Sequence, residues 1–245
     1  MNLRERDSSA EELLDAPGVD DRLLEQSLRD LSRIGSLLGW THLAVQDVAH
    51  IVAQRQLRAF SVLDVGTGAA NVPIALARWA RRQGREAQIT ASDLSEQVLA
   101  VARANCASFP EIHIEQQNAL ALTYADQSFD LVLCQGALHH FSPDEAVAVL
   151  RELARVARRA IIVTDLQRNR PLYVGGWLLM HTLIRNRVTR HDGLASIRRA
   201  YTPAEVRALA EQADLRSATI HTALRLRQAL IWQRSPLNST DHKVC

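Results

Sequence analysis

The chain contains little that would mark a secreted or metal-binding protein. Only 3 of its 245 residues are cysteine. Cys106, Cys134 and Cys245 stand far apart in the sequence, without the spacing of a zinc site or of a disulfide framework. We therefore expect reduced thiols and a cytoplasmic location.

An excess of one charge and a long apolar run are also missing. The 29 Lys and Arg residues against 27 Asp and Glu give a net charge of +2, which provides no electrostatic footprint for nucleic acid. The longest apolar stretch, 172–184, includes a histidine and falls short of the ~20 residues that span a bilayer. Charged residues follow almost directly on Met1, where a secretory leader would have an apolar core. We expect a soluble protein with a small-molecule partner, no nucleic acid and no membrane span.

What the chain does have is a regular alternation of short apolar runs and amphipathic segments. The apolar runs predict strands over 61–65, 88–91, 112–115, 131–134, 160–164, 216–224 and 228–233. The amphipathic segments predict helices over 20–38, 42–56, 71–82, 95–107 and 142–157, and another from residue 202. Strands separated by helices of this length form βαβ units. We therefore predict an α/β protein with a Rossmann-like, doubly wound, mostly parallel seven-stranded sheet.

Two segments fall outside this alternation. Residues 1–58 are predicted to form a mobile arm of about 20 residues and then a cap of two helices, before a domain over 59–245. Within that domain, residues 168–201 follow the fifth strand and are too many for an ordinary connection. We expect this insert to be a helical lid.

A glycine turn follows the first predicted strand, in the pattern Asp64-x-Gly66-x-Gly68. Glycines let the backbone turn tightly and approach a ligand, and ligands of open parallel sheets bind at the carboxyl ends of the strands. Nucleotide-binding dehydrogenases share such a turn, but their fingerprint has a third small residue where this chain has Asn71, and it needs no acid at position 64. An NAD-dependent oxidoreductase is therefore a distant alternative.

Polar residues also end the strands that follow. Asp93 precedes Leu94 after the second strand, where a carboxylate can accept two hydrogen bonds from a ribose diol. Asn118 and Ala119 come after the third strand, and Gln135 ends the fourth. All of these positions are expected at one edge of the sheet.

In this order and spacing, the motifs of residues 60–165 resemble those of class I S-adenosylmethionine-dependent methyltransferases. The resemblance implies S-adenosylmethionine as cofactor, S-adenosylhomocysteine as product, and a donor site formed by Asp64, Gly66, Thr67, Gly68, Asn71, Asp93, Leu94, Asn118, Ala119 and Gln135. Within that site the glycines would line the methionine moiety, Asp93 would hold the ribose and Gln135 would lie under the sulfonium. There are two departures from the pattern. Ala70 replaces a frequent glycine, and Asn118 replaces an aspartate, although its oxygen can still accept a hydrogen bond from adenine.

Two adjacent histidines, His139 and His140, follow the fourth strand, and Asp165 ends the fifth. Neighbouring strands should place the three on one edge, and an aspartate beside a histidine orients the imidazole and charges it as a general base. The chain is similar here to natural-product O-methyltransferases, which implies catalytic roles for all three residues. The alternative is that the histidines only shape the pocket. We predict no metal site, because adjacent histidines on one turn seldom converge on one ion.

The insert supplies candidate acceptor contacts. Tyr173, Trp177 and Met180 suit a flat or apolar acceptor, and His191 lies in a second polar cluster that could face the pocket. Core packing or a homodimer contact is the alternative for this segment.

The expected function is methyl transfer to a small apolar or aromatic molecule. The chain lacks the Asn/Asp-Pro-Pro-Tyr type of motif after the fourth strand, which argues against a macromolecular amine as acceptor. A looser resemblance to bacterial methyltransferases of polyketide metabolism favours O-methylation of a phenolic or polyketide-like hydroxyl in secondary metabolism. C-methylation of a quinone-like or aromatic ring is the alternative, because ubiquinone and menaquinone enzymes share similar histidine motifs. A non-catalytic donor-binding protein is a more distant one.

Overall fold

The structure is a computed structural model that describes residues 3–10, 12–15, 18–223 and 226–235. Met1, Cys245 and the last residue of the predicted strand 216–224 lie outside the described residues. Cys106 and Cys134 are buried free thiols.

Seven strands form one sheet at the centre of the molecule. They are β1 (Ala59–Val65), β2 (Glu86–Asp93), β3 (Ile112–Gln116), β4 (Phe129–Gln135), β5 (Ala157–Leu166), β6 (Thr219–Ala223) and β7 (Arg227–Gln233). Their order across the sheet is β3-β2-β1-β4-β5-β7-β6, and β7 lies antiparallel between β5 and β6 while β1 to β5 pair in parallel. The predicted doubly wound, mostly parallel seven-stranded sheet is confirmed.

Eight α-helices belong to the described part of the chain. They are α1 (Asp21–Leu37), α2 (Trp40–Gln54), α3 (Asn71–Arg82), α4 (Glu96–Cys106), α5 (Pro143–Val156), α6 (Arg170–Leu183), α7 (Arg187–Arg199) and α8 (Pro203–Gln212). The predicted helical insert after the fifth strand is formed by α6 and α7, and the N-terminal helices are α1 and α2. Among these helices none is long and apolar enough to cross a bilayer.

The sheet separates two hydrophobic clusters, because successive residues of a strand point to opposite faces. Leu63 of β1 lies in the cluster that α5 and α8 cover, whereas its neighbour Val62 lies in the cluster under α2 and α3. Full burial of one such side chain stabilises the fold by about 1.5–3 kcal/mol. Most observed strands extend beyond the predicted ones, since apolar runs mark only the middle that is buried on both faces.

The residues that start α5 and α8 fix where these helices begin. Ser142 and Glu145 form a capping box at α5, and Thr202 and Glu205 form another at α8. Each box satisfies backbone donors that the first helical turn leaves without intrahelical partners. Both helix starts agree with the prediction from sequence.

The N-terminal arm is docked on the domain. The backbone N–H groups of Leu13 and Leu14 donate to the two carboxylate oxygens of Asp192 in α7, at 2.8 and 3.0 Å. The Arg6 guanidinium donates to the carbonyl oxygens of His139 and Phe141, at 2.8 Å each. The predicted mobile arm is therefore wrong for the described residues, because its polar groups have fixed partners far away in sequence.

Candidate active site

The glycine turn after β1 places backbone close to the carboxyl ends of two other strands. Gly66 and Gly68 have φ angles of +72° and +54°, in the left-handed region that favours glycine. A Cβ on Gly66 would lie 2.9 Å from the Cβ of Ala137, which follows β4. The Gly66 and Thr67 N–H groups both donate to the Ser92 carbonyl of β2 at 2.9 Å. The turn is thus fixed between β2 and the segment after β4.

Asp93, at the end of β2, is joined to that turn. Its Oδ2 accepts a hydrogen bond from the Gly68 N–H at 3.1 Å, and its Oδ1 accepts one from the Ser95 N–H at 3.2 Å. Burial raises the pKa of Asp93, while these backbone bonds and the His140 imidazole lower it in part. Asp93 thus joins the end of β2 to the glycine turn, and the same turn lies against Ala137 in the segment that carries the histidines.

Oδ1 of Asp64 and Nε2 of Gln135 are buried at this edge and have no hydrogen-bond partner within the described ranges. Asp64 receives one bond, from the Thr67 hydroxyl to its Oδ2 at 2.7 Å, and burial raises its pKa to about 7. The amide oxygen of Gln135 accepts from the Thr164 hydroxyl. A carboxylate oxygen and an amide N–H therefore remain for a polar ligand.

The other predicted donor residues have mixed surroundings. Asn71 donates to the Ser32 hydroxyl of α1 at 2.7 Å, so it ties the turn to the N-terminal helices. Leu94 is 64% exposed. The Asn118 oxygen accepts from the Leu120 N–H at 3.0 Å, which leaves one lone pair for another donor. Ala119 is half-buried against the core. The ligand contacts of these residues stay predictions.

His139 and Asp165 are brought together as a buried pair. The imidazole Nδ1 lies 2.8 Å from the Asp165 Oδ1, and the His139 backbone N–H donates to Oδ2, also at 2.8 Å. The Leu166 N–H donates to Oδ1 at 2.7 Å. Because the carboxylate accepts from Nδ1–H, it fixes the orientation of the imidazole and turns Nε2 away from Asp165.

Glu12 of the N-terminal arm enters the same region. Its carboxylate oxygens lie 3.3 Å from Nε2 of His139 and 3.9 Å from Nε2 of His140, and the residue is 8% exposed. Burial lowers the pKa of His139, but the Asp165 and Glu12 carboxylates outweigh this effect and raise it to about 10. No motif in the sequence points to Glu12, because it stands in a polar arm more than 120 residues before the histidines.

The turn that carries the histidines is clamped through its carbonyl oxygens. Arg199 donates to the His140 carbonyl at 2.6 Å, and the Tyr201 hydroxyl donates to the Phe141 carbonyl at 2.7 Å. Arg6 binds the same turn from the arm. These residues hold the backbone of the turn, and sequence reasoning did not find them.

The predicted acceptor residues of the insert lie on different faces of its helices. Trp177 is 47% exposed and stacks on His181, with ring centroids 4.5 Å apart. Met180 is buried with Ile34 of α1, and Tyr173 is half-buried. His191 is exposed and contacts Asp192 at 3.0 Å. The acceptor roles of these residues stay predictions.

The fold is the Rossmann-like fold of methyltransferases, and the part of the chain that carries the glycine turn matches them in sequence. Residues 62–160 match the family model described as a methyltransferase domain. The chain is similar to the demethylmenaquinone methyltransferase of Desulfitobacterium hafniense, at 30% identity over 164 residues, which cover 64% of this chain and 60% of that protein. It is also similar to an uncharacterised methyltransferase of Bacillus subtilis, at 27% identity over 117 residues, 46% of this chain and 43% of that protein. The chain thus spans about half the length of these two relatives.

A solved structure of the same fold is the magnesium protoporphyrin IX methyltransferase of Synechocystis PCC 6803 with bound S-adenosylhomocysteine. It superimposes with a TM-score of 0.58 at 21% identity and covers 81% of this chain and 84% of that one. At 21% identity this similarity is evidence for the fold alone.

Proposed function

We propose that this protein is an S-adenosylmethionine-dependent methyltransferase that acts on a small apolar or aromatic acceptor. The observation that carries the proposal is the bond between the Asp93 carboxylate and the Gly68 N–H. It joins a glycine turn to an acidic strand end inside the segment, 62–160, that matches the methyltransferase domain model. A carboxylate in this position can still accept bonds from a ribose diol, because each oxygen offers a second lone pair.

The residues present fit such a donor. Among the described residues, no side chain or backbone group bonds to Oδ1 of Asp64 or to the amide N–H of Gln135. These two groups suit the polar groups of an amino-acid moiety. The missing side chain at Gly66 lets the turn lie close against Ala137, at the sheet edge where the donor would bind. When bound, S-adenosylmethionine supplies an electrophilic methyl group on its sulfonium and leaves as S-adenosylhomocysteine.

The histidine pair is the proposed place where the acceptor loses its proton. A hydroxyl becomes a strong nucleophile once it is deprotonated, and alignment with the methyl group supplies most of the remaining rate. His139 is enclosed between Asp165 and Glu12, whereas the His140 side chain is 32% exposed. We therefore place the acceptor hydroxyl beside His140, with His139 and Asp165 behind it.

The acceptor atom distinguishes two candidate functions. O-methylation of a phenolic or polyketide-like hydroxyl follows directly from the histidine pair. C-methylation of a quinone-like ring is favoured by the similarity to the demethylmenaquinone methyltransferase of D. hafniense. A phenolate serves both reactions, since its charge is shared between the oxygen and the ring carbons.

Calorimetry with S-adenosylhomocysteine tests donor binding. Asp93→Ala should weaken binding at least tenfold, because two charge-assisted hydrogen bonds of about 1.5–3 kcal/mol each are lost. Asp144→Ala, an exposed carboxylate in the first turn of α5, is the control. Wild-type affinity in a folded Asp93→Ala variant, or binding of NAD in place of S-adenosylhomocysteine, would overturn the proposal.

A deuteromethyl-labelled donor and a panel of phenols and quinols test the acceptor. Mass spectrometry should detect one added methyl group, and NMR of the product should place it on oxygen or on carbon. Donor binding without transfer to either class would refute the acceptor and leave the donor site intact.

A further inference from the structure

We propose that Glu12, His139 and His140 form a binding site for one divalent transition-metal ion. The ligand atoms, two imidazole nitrogens and a carboxylate oxygen, all lie within 4.8 Å of one another. Two of them come from the turn after β4, and the third comes from the N-terminal arm. The site therefore exists only when the arm is docked.

The spacing of the ligand atoms fits a shared ion. The Glu12 oxygens are 3.3 Å from the His139 Nε2 and 3.9 Å from the His140 Nε2. An ion that binds nitrogen and oxygen at about 2.0–2.2 Å holds neighbouring ligand atoms roughly 3–4 Å apart. The three side chains need little movement to reach such a geometry.

The contact between His139 and Glu12 is longer than most hydrogen bonds. The His139 Nε2 is buried and forms no hydrogen bond with any described residue, although a carboxylate oxygen lies 3.3 Å away. A buried polar atom without a hydrogen bond is costly, so such atoms usually have a ligand. An ion between the nitrogen and the carboxylate would give this buried nitrogen a ligand.

Asp165 has the position of an outer carboxylate behind a metal-binding histidine. It accepts from Nδ1 of His139 at 2.8 Å and also from the backbone N–H of that residue. This arrangement directs the Nε2 lone pair toward Glu12 and increases the basicity of the ligand, as it does in metal sites generally.

The donor set indicates the kind of ion. Two imidazoles with one carboxylate favour Zn²⁺, Mn²⁺, Fe²⁺ or Co²⁺, whereas Mg²⁺ and Ca²⁺ prefer oxygen ligands. Three protein ligands leave at least one coordination position open. The partial exposure of the His140 side chain, 32%, provides access to that position.

The consequence for the reaction rests on the proposed function. A phenolic or enolic hydroxyl bound at the open position would release its proton to water at lower pH, because the cation stabilises the oxyanion. The oxyanion would then attack the methyl carbon, and the electron pair of the broken bond would remain on sulfur. The acceptor class that this site selects is one with an acidic hydroxyl.

Metal titration of the full chain tests the proposal. Protein freed of metal with a chelator is titrated with Zn²⁺ by calorimetry and with Co²⁺ by visible absorption, and we expect one ion per chain. Glu12→Gln and His140→Gln should each weaken binding at least tenfold, while His113→Gln, an exposed histidine on β3, should leave it unchanged. Asp165→Asn should weaken binding by about 10–100-fold through the orientation of His139.

Circular dichroism shows whether a variant that binds less metal is still folded. His140→Gln should disturb packing least, because the His140 side chain is partly exposed. Equal Zn²⁺ affinity in wild type, Glu12→Gln and His140→Gln would overturn the proposal, as would the absence of bound ion. S-adenosylhomocysteine binding is measured on the same metal-free protein. Binding of that ligand without binding of metal refutes the metal site alone, and binding of metal without that ligand refutes the donor site alone.

Discussion

Gly66→Ala tests the close approach between the glycine turn and the segment after β4. The new Cβ would lie 2.9 Å from the Cβ of Ala137, a separation that forces a shift of backbone. The residue would also adopt a φ of +72°. Left-handed backbone costs about 1–2 kcal/mol for a residue with a Cβ, and an overpacked contact costs about 1–3 kcal/mol. We expect a loss of roughly 2–5 kcal/mol in the free energy of unfolding.

Gly84→Ala is the matched control, because Gly84 has a φ of +60° and a Cβ there would have no atom of the described residues within 4 Å. It should cost only the backbone term of about 1–2 kcal/mol. The change in unfolded-chain entropy is common to both substitutions and cancels in the comparison. Chemical denaturation of both variants measures the free energy lost to the contact between the new Cβ and Ala137. The double variant Gly66→Ala/Ala137→Gly removes that contact, so it should regain this part of the loss. Equal losses for Gly66→Ala and Gly84→Ala would refute the reasoning.

Three further substitutions have defined outcomes. Burial raises the pKa of Asp64 from the ordinary 3.8 to about 7, so stability from this group is present below pH ~4 and is lost as pH rises through about 7. Asp64→Asn should remove that slope in denaturation curves, and an unchanged slope would contradict the assignment. The fully buried Arg168 side chain pairs with Glu205 at 2.6 Å, so Arg168→Met should lower the free energy of unfolding by roughly 3 kcal/mol in chemical denaturation, because Glu205 loses its partner; an unchanged value would refute this role of the pair. Trp177→Ala should leave the melting temperature near that of wild type, because the side chain is 47% exposed; a loss near the ~3–5 kcal/mol of a core tryptophan would show that it is buried in solution.

The sheet, and the polar residues at the carboxyl ends of its strands, were predictable because they are encoded locally. Alternating apolar runs mark the strands, and the Ser142–Glu145 box marks the start of α5 within four residues. The topology rule then places strand ends on one edge, which is how Asp93 and Asp165 could be assigned to one region from sequence.

The surroundings of the histidine turn were not predictable in the same way. Glu12, Arg6 and Arg199 reach the histidine turn from positions that no local pattern connects to it. Their placement results from tertiary packing of the arm on α7. A polar arm is predicted to be flexible when its partners, which are distant in sequence, are unknown. The exposure of Trp177 was likewise not predictable, because an apolar stretch does not indicate which side of its helix packs against the protein.

The bonds between the arm and α7 have a consequence for how new selectivities could be engineered. Glu12, Asp165 and the whole insert lie outside residues 62–160, the part that matches the methyltransferase domain model. Because Leu13 and Leu14 are bonded to Asp192, the arm and the insert form one interlocked unit. A chimera that takes the insert from another protein must take the matching arm with it, while residues 62–160 can stay as they are.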